Sequence, residues 1–203
     1  MAATLTASAA TAQCVGSCTT ATIYEGNSGV IQLPVTATVG GRCGFASAPS
    51  ATLDYPNFDV VEATQSAPFV LDCTGPSRVA VTSLNGGLLN NSGSLPSGYV
   101  NLASYTVNLR LTPTSGSQVT LAQACPVEVL KATGPASGTA ACAEVRGTAS
   151  FNGNVGLRLG NASSGQSSFI DVKVGPSTIN PAAGLLVNGD YSDTLTVTVA
   201  ASL

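Results

Sequence analysis

A chain of 203 residues with a net charge of −3 and only 8% charged side chains is long enough for one sizeable domain. It is too poor in Lys and Glu to coat long solvated helices. Its seven basic residues are scattered singly, which excludes a phosphate-neutralising stripe and with it nucleic-acid binding. Histidine is absent, so Ser-His-Asp triads, Cys-His pairs and histidine metal ligands are all excluded.

The chain nevertheless has a mean hydropathy of +0.32, enough apolar surface to offset chain entropy, so a folded protein is expected. Residues 1–28 are rich in Ala, Thr and Ser and read as an arm carrying a small loop closed by Cys14 and Cys18. Ala10-Thr11-Ala12 has the small-x-small form of a signal-peptide cleavage site, yet no basic n-region or strong apolar stretch precedes it. A signal remnant and a mature arm both stay open. No run of about eighteen apolar residues occurs, so no membrane span is expected.

From Val30 the clearest strand pattern of the chain begins. Ile31, Leu33, Val35, Ala37 and Val39 alternate with Gln32, Pro34, Thr36 and Thr38, matching the two-residue period that puts alternate side chains on opposite faces. Pro34 lacks a ladder donor, which suits an edge position. After Gly40-Gly41 and Cys43 come short apolar runs separated by turn residues. These are 51–55, Pro68 to Cys73, Arg78 to Leu84, Tyr105 to Leu111, Val119 to Leu121, Val127 to Lys131, Val145 to Phe151, Val155 to Leu159 and Phe169 to Val174. Asn188-Gly189-Asp190 then turns the chain into a last strand, where Leu195, Val197 and Val199 alternate with Thr194, Thr196 and Thr198. Turns recurring at this spacing, with no sustained helical period, predict an all-β, antiparallel β-sandwich. One domain is expected over residues 29–203. The sequence closes within four residues of Val199, so that strand is expected either to lie inside a sheet or to take a partner from elsewhere.

Six cysteines, Cys14, Cys18, Cys43, Cys73, Cys125 and Cys142, favour disulfides and an oxidising compartment. Tetrahedral metal binding fails on spacing, since no C-x-x-C pair occurs. The pairing expected is between sequence neighbours: Cys14–Cys18, Cys43–Cys73 and Cys125–Cys142. The last pair would pin the segment ATGPASGTA as a surface excursion. The ten carboxylates, Asp190 and Asp193 among them, show neither a glycosidase pair nor a dense calcium loop, and read as exposed or turn residues. No cofactor, no metal and no enzymatic activity are expected. Asn90 and Asn161 head nominal glycosylation sequons. Five tyrosines and no tryptophan supply a poor sugar-stacking platform.

The closing stretch GDYSDTLTVTV resembles the end motif of the spore coat protein U family, which includes subunits of archaic, Csu-type chaperone–usher pili. The alternating strand before Cys43, the FVLDCTG segment around Cys73 and the YTVNLRL strand fit the same pattern over residues 29–203. The resemblance implies an incomplete immunoglobulin-like antiparallel β-sandwich, completed by a donated strand. It also implies a structural pilus subunit for adhesion and biofilm formation. In this family a periplasmic chaperone lends a strand, and an outer-membrane usher then helps replace it with the N-terminal segment of a neighbouring pilus subunit, a case of β-strand addition. Carried over residue by residue, the donor strand is Ile31, Leu33, Val35, Ala37 and Val39, and the acceptor edge includes Leu195, Val197 and Val199. Pro34 and the arm with Cys14 and Cys18 depart from the pattern and leave the donor register open. The other implied reading is a self-complemented, secreted coat or matrix protein. Either way the protein is expected to be exported.

Overall fold

Period-two apolar runs become strands here wherever a neighbouring run of the same period lies beside them to bury their apolar face. The computed structural model describes residues 41–49, 52–91, 95–133, 139–151, 153–179 and 184–202, all within a unit running from Val39 to Leu203. The expected donor residues Ile31, Leu33, Val35, Ala37 and Val39, and the expected Cys14–Cys18 loop, lie outside the described residues. In chain order the strands are β1 (Cys43–Ser47), β2 (Ala63–Cys73), β3 (Ser77–Ser83), β4 (Leu88–Leu89), β5 (Tyr99–Val100), β6 (Leu102–Ala103) and β7 (Thr106–Leu111). They continue with β8 (Val119–Thr120), β9 (Cys125–Pro126), β10 (Leu157–Leu159), β11 (Ser167–Val174), β12 (Leu185–Leu186) and β13 (Leu195–Ala201), and the α-helix α1 spans Ala140–Val145.

The protein is all-β in class, built on antiparallel sheets. The larger sheet has the order β1-β2-β11-β7-β8, with β9 also on β7, and the smaller one has the order β10-β3-β13. Ile170 of β11 stands opposite Ala67 of β2 and Leu109 of β7, and Val172 stands opposite Val107, so one face of the larger sheet is mainly apolar, interrupted by Gln65 opposite Val172 and Ser168 opposite Phe69. Phe69, Leu71, Val107, Leu109 and Leu111 on that face are at most 1% exposed and share one core with Val79 and Val81 of β3. The opposite face carries the polar members of the same strands. There Asp171 accepts from Arg110 Nε at 2.5 Å and Nη2 at 2.8 Å, and the guanidinium lies 4.6 Å from the centre of the Phe169 ring. Arg110, together with Ser66, holds the Asp171 carboxyl below the usual carboxylate range.

Two disulfides join Cys43 to Cys73 and Cys125 to Cys142, the pairing of sequence neighbours. The first links facing residues of β1 and β2. The second encloses the ATGPASGTA segment, whose described residues Ala132, Thr133, Thr139 and Ala140 are exposed, while residues 134–138 lie outside the described residues; the stretches that flank it are not strands. Val127–Leu130 forms a turn of 3-10 helix instead of a strand, and Ala140–Val145 is helical. Val127, Val129, Leu130, Cys142 and Val145 all enter the core. The same segment borders β3, because Arg146 bridges Val81 and Lys131 bridges Ser83 where β10 has ended. Val145 to Phe151, read as a strand, is the end of α1 followed by irregular chain. Strand β2 begins five residues before the expected Pro68. Pro68 is tolerated inside it because β1 reaches only to Val70, leaving β2 with β11 as its sole described neighbour at that level.

Candidate functional site

Strand β13 pairs with β3 along its whole length, from Leu195 opposite Ser83 to Ala201 opposite Ser77. Its other edge has no strand partner among the described residues. Leu195, Val197 and Val199 point towards the core and pack against it, yet each is only partly buried, whereas Val79 and Val81 beside them on β3 are fully buried. The alternation of leucine and valine with threonine, read as an amphipathic strand, therefore produces an apolar face that the described chain covers incompletely.

The space beside that face is a groove of about 620 Å³. Its floor is the inner face of the larger sheet at Ala67, Ile170, Val172 and Val174, and one bank is Leu195 and Val197 of β13. Ala67 makes the floor deeper than it is further along β2, where Phe69 and Leu71 fill the core. The second bank is the segment that follows β1, including Leu53 and Tyr55. The run 51–55, read as a strand, is described from Thr52; with Pro56 next and no strand partner among the described residues, 52–55 run as an irregular strap.

Three contacts hold the strap. The Tyr55 hydroxyl donates to the Val172 carbonyl at 2.7 Å, and Gln65 Nε2 donates to the Asp54 carbonyl. Phe58 meets Tyr191 edge-to-face at 5.4 Å between ring centres. Asn57, at φ 54°, turns the strap back, its carbonyl accepting from the amides of Val60 at 3.0 Å and Val61 at 2.9 Å. Asn is among the few residues that tolerate that left-handed conformation. Burial pushes the Tyr55 hydroxyl up to about 12.

At the start of β13 the groove ends on a polar node. Asp193 Oδ2 accepts from Ser83 Oγ at 2.6 Å and from the Tyr105 hydroxyl at 2.7 Å. Asp193 Oδ1 accepts from the amides of Asn85 at 3.0 Å and Thr194 at 2.8 Å. One carboxylate thus ties the entry of β13 to the end of β3 and to Tyr105, just before β7. Tyr105 is 2% exposed, and burial first, then the neighbouring carboxylate, raises its pKa well above the ordinary phenol value. Asp193 reads from sequence as a turn carboxylate. Apart from the Thr194 amide, its donors lie 88 to 110 positions away, and no local pattern announces them.

Of the residues singled out from sequence, Leu195, Val197 and Val199 are brought to the one face of β13, and Cys43 and Cys73 sit side by side at the edge of the larger sheet. Asn90 of the first nominal sequon is 3% exposed, while Asn161 of the second is exposed and donates to the Ser115 carbonyl at 3.1 Å. Among the described residues no group of three or more acidic, Cys or His side chains could hold a metal ion, and no helix is long and apolar enough to cross a membrane. No known family model matches the chain, and no curated protein matches it significantly.

Proposed function

We propose that this protein is a structural subunit of an extracellular pilus, an incomplete immunoglobulin-like sandwich that polymerises by accepting a strand from a neighbouring copy. The observation that carries the reading is the edge of β13 that has no strand partner among the described residues, with Leu195, Val197 and Val199 half-covered and the first two lining the groove. An open edge with an apolar face is unstable in water unless something adds to it. A strand laid there would gain backbone hydrogen bonds from β13 and seat its alternate side chains over Ala67 and Val172. The occupant is the segment Ile31, Leu33, Val35, Ala37 and Val39 of another subunit. It carries the period-two aliphatic pattern the groove takes, and it lies in the sequence immediately before the first described residues. During export a periplasmic chaperone would hold the same edge until an outer-membrane usher exchanges it, and the assembled fibre would serve attachment and biofilm formation. Two disulfides fit maturation in an oxidising compartment.

The test is light scattering and unheated SDS electrophoresis on the exported full-length protein and on Leu33→Asp and Val197→Asp variants. Wild-type protein is expected to form SDS-resistant ladders. Each variant alone should not, while a mixture of the two should give dimers, because each still supplies the half the other lacks. A wild-type protein that runs only as a stable monomer would overturn the pilus reading in favour of a self-complemented coat protein.

A further inference from the structure

Asn-Gly occurs in the chain at Asn85-Gly86, Asn152-Gly153 and Asn188-Gly189. Asn152 lies outside the described residues, and the other two pairs sit in opposite settings. At Asn85-Gly86 both members are engaged. The Gly86 amide donates to Ser83 Oγ at 2.7 Å, Asn85 Nδ2 donates to the Ser192 carbonyl at 3.2 Å, and the Asn85 amide donates to Asp193 Oδ1 at 3.0 Å. At Asn188-Gly189 both residues are exposed, and neither the Asn188 side chain nor the Gly189 amide has a hydrogen-bond partner among the described residues. This turn is held at its two feet. The Val187 amide donates to the Val100 carbonyl at 3.0 Å, the Tyr191 hydroxyl donates to the Val187 carbonyl at 2.7 Å, and the Ser192 amide donates to the Leu89 carbonyl at 3.0 Å. The turn also requires its glycine: φ at Gly189 is 143°, and a Cβ placed there would stand 2.5 Å from Asn90 Nδ2.

From this contrast we infer that Asn188 is a self-modifying site, converted in the folded protein to aspartate and isoaspartate, while Asn85 is kept as the amide. The Gly189 nitrogen, which no Cβ screens, attacks the side-chain carbonyl carbon of Asn188. The new C–N bond closes a succinimide ring. The Cγ–Nδ2 bond breaks, and that nitrogen leaves as ammonia, taking the proton given up by the Gly189 amide. Water then opens the ring at either carbonyl, its hydroxyl adding to the carbon and its proton to the ring nitrogen. Opening at the side-chain carbonyl gives aspartate, and opening at the backbone carbonyl gives isoaspartate, with an extra methylene in the main chain. At Asn85 the same attack is blocked, because the Gly86 amide is bound to the buried Ser83 hydroxyl. Either product places a new carboxylate in the turn that delivers Tyr191, Ser192 and Asp193 to the bank of the groove. The iso form also lengthens the loop that the Tyr191 hydroxyl spans to Val187. The inference stands on the turn alone and holds whether or not the groove accepts a strand.

The experiment incubates the folded full-length protein, disulfides intact, in mildly alkaline buffer below its unfolding temperature. Peptide mapping by mass spectrometry follows the amide-to-acid conversion at each asparagine, and a protein isoaspartate methyltransferase counts the iso product. Asn188 should convert at least tenfold faster than Asn85. In denaturant the two rates should come within threefold of each other, since both residues follow an aliphatic side chain and precede glycine. The Asn188 rate itself should change less than threefold on denaturation. Ser83→Ala, which frees the Gly86 amide, should raise the Asn85 rate at least threefold in the folded protein and leave Asn188 unchanged. Should that variant not fold, the comparison of folded and denatured wild-type protein decides alone. The inference is overturned if the two sites convert equally in the folded protein, or if Asn188 speeds up more than tenfold on denaturation, since the fold would then be protecting it. It is overturned equally if a tenfold difference persists in denaturant, which would assign the selectivity to local sequence and leave the hydrogen bonds at Asn85-Gly86 without a part in it.

Discussion

Replacing Tyr105 by phenylalanine removes one hydroxyl and leaves the ring, so no cavity opens in a core position that is 2% exposed. What is lost is the 2.7 Å hydrogen bond to Asp193 Oδ2. A hydrogen bond to a charged acceptor contributes about 1.5–3 kcal/mol. Asp193 keeps Ser83 Oγ and two backbone amides as donors, so the loss should fall near the lower figure, about 1.5–2 kcal/mol. With a urea dependence of about 2 kcal/mol per molar, that is a fall of about 0.7–1 M in the unfolding midpoint at unchanged slope. Urea unfolding under non-reducing conditions, followed by circular dichroism and tyrosine fluorescence, measures it. Asp193→Asn should be destabilising in its own right, and the double variant should show a coupling of about 1 kcal/mol or more. A Tyr105→Phe midpoint within 0.2 M of wild type, or strictly additive effects, would refute the view that this carboxylate joins the entry of β13 to β3 and to the start of β7.

Other outcomes follow from the same geometry. Tyr55 has a folded pKa of about 12, above its unfolded value, so its contribution to stability is complete below about pH 10 and is lost as pH rises from there towards 12. In an alkaline titration its phenolate should appear together with unfolding. Tyr55→Phe should remove part of the alkaline transition. Asp171 has a lowered folded pKa, so its contribution is present above the ordinary carboxylate range and lost as pH falls through it. Arg110→Met should flatten the acid limb of a stability–pH profile. Cys125→Ser with Cys142→Ser opens a 17-residue loop, for which about 3 kcal/mol of lost stability is expected by thermal unfolding. Leu109→Ala, at a site with no exposure, should cost about 2–5 kcal/mol in the same assay.

The parts of the fold legible in the sequence were those where the local period and the tertiary neighbour agree. The runs from Tyr105 to Leu111 and from Leu195 to Val199 alternate cleanly and become β7 and β13, because each lies beside a partner of the same period. Val127 and Val129 alternate as well, but four residues are too few to separate a strand from a tight helical turn. The disulfide to Cys142 and the burial of Leu130 turn that stretch into the core. Leu53 and Tyr55 also show strand spacing, yet β1 has already ended and Pro56 follows, so they become one bank of the groove. The aliphatic face of β13 could be read from sequence. The groove beside it could not, since its floor is assembled from β2 and β11, about a hundred positions apart along the chain. The Asp193 node is hidden for the same reason.

The Cys43–Cys73 bridge has a mechanical consequence. Tension applied through the residues preceding Gly41 meets a covalent crosslink at Cys43, two positions into the described chain. From there the load can pass directly to Cys73 and on into β3, at the centre of the smaller sheet. The thirty-residue span between the two cysteines, which holds β1, the strap and β2, is then a slack loop in parallel with the bond. A pull strong enough to peel an ordinary edge strand would leave β1 in place and the banks of the groove undisturbed. Only reduction of that one bond would put the strap and the floor of the groove in the line of force.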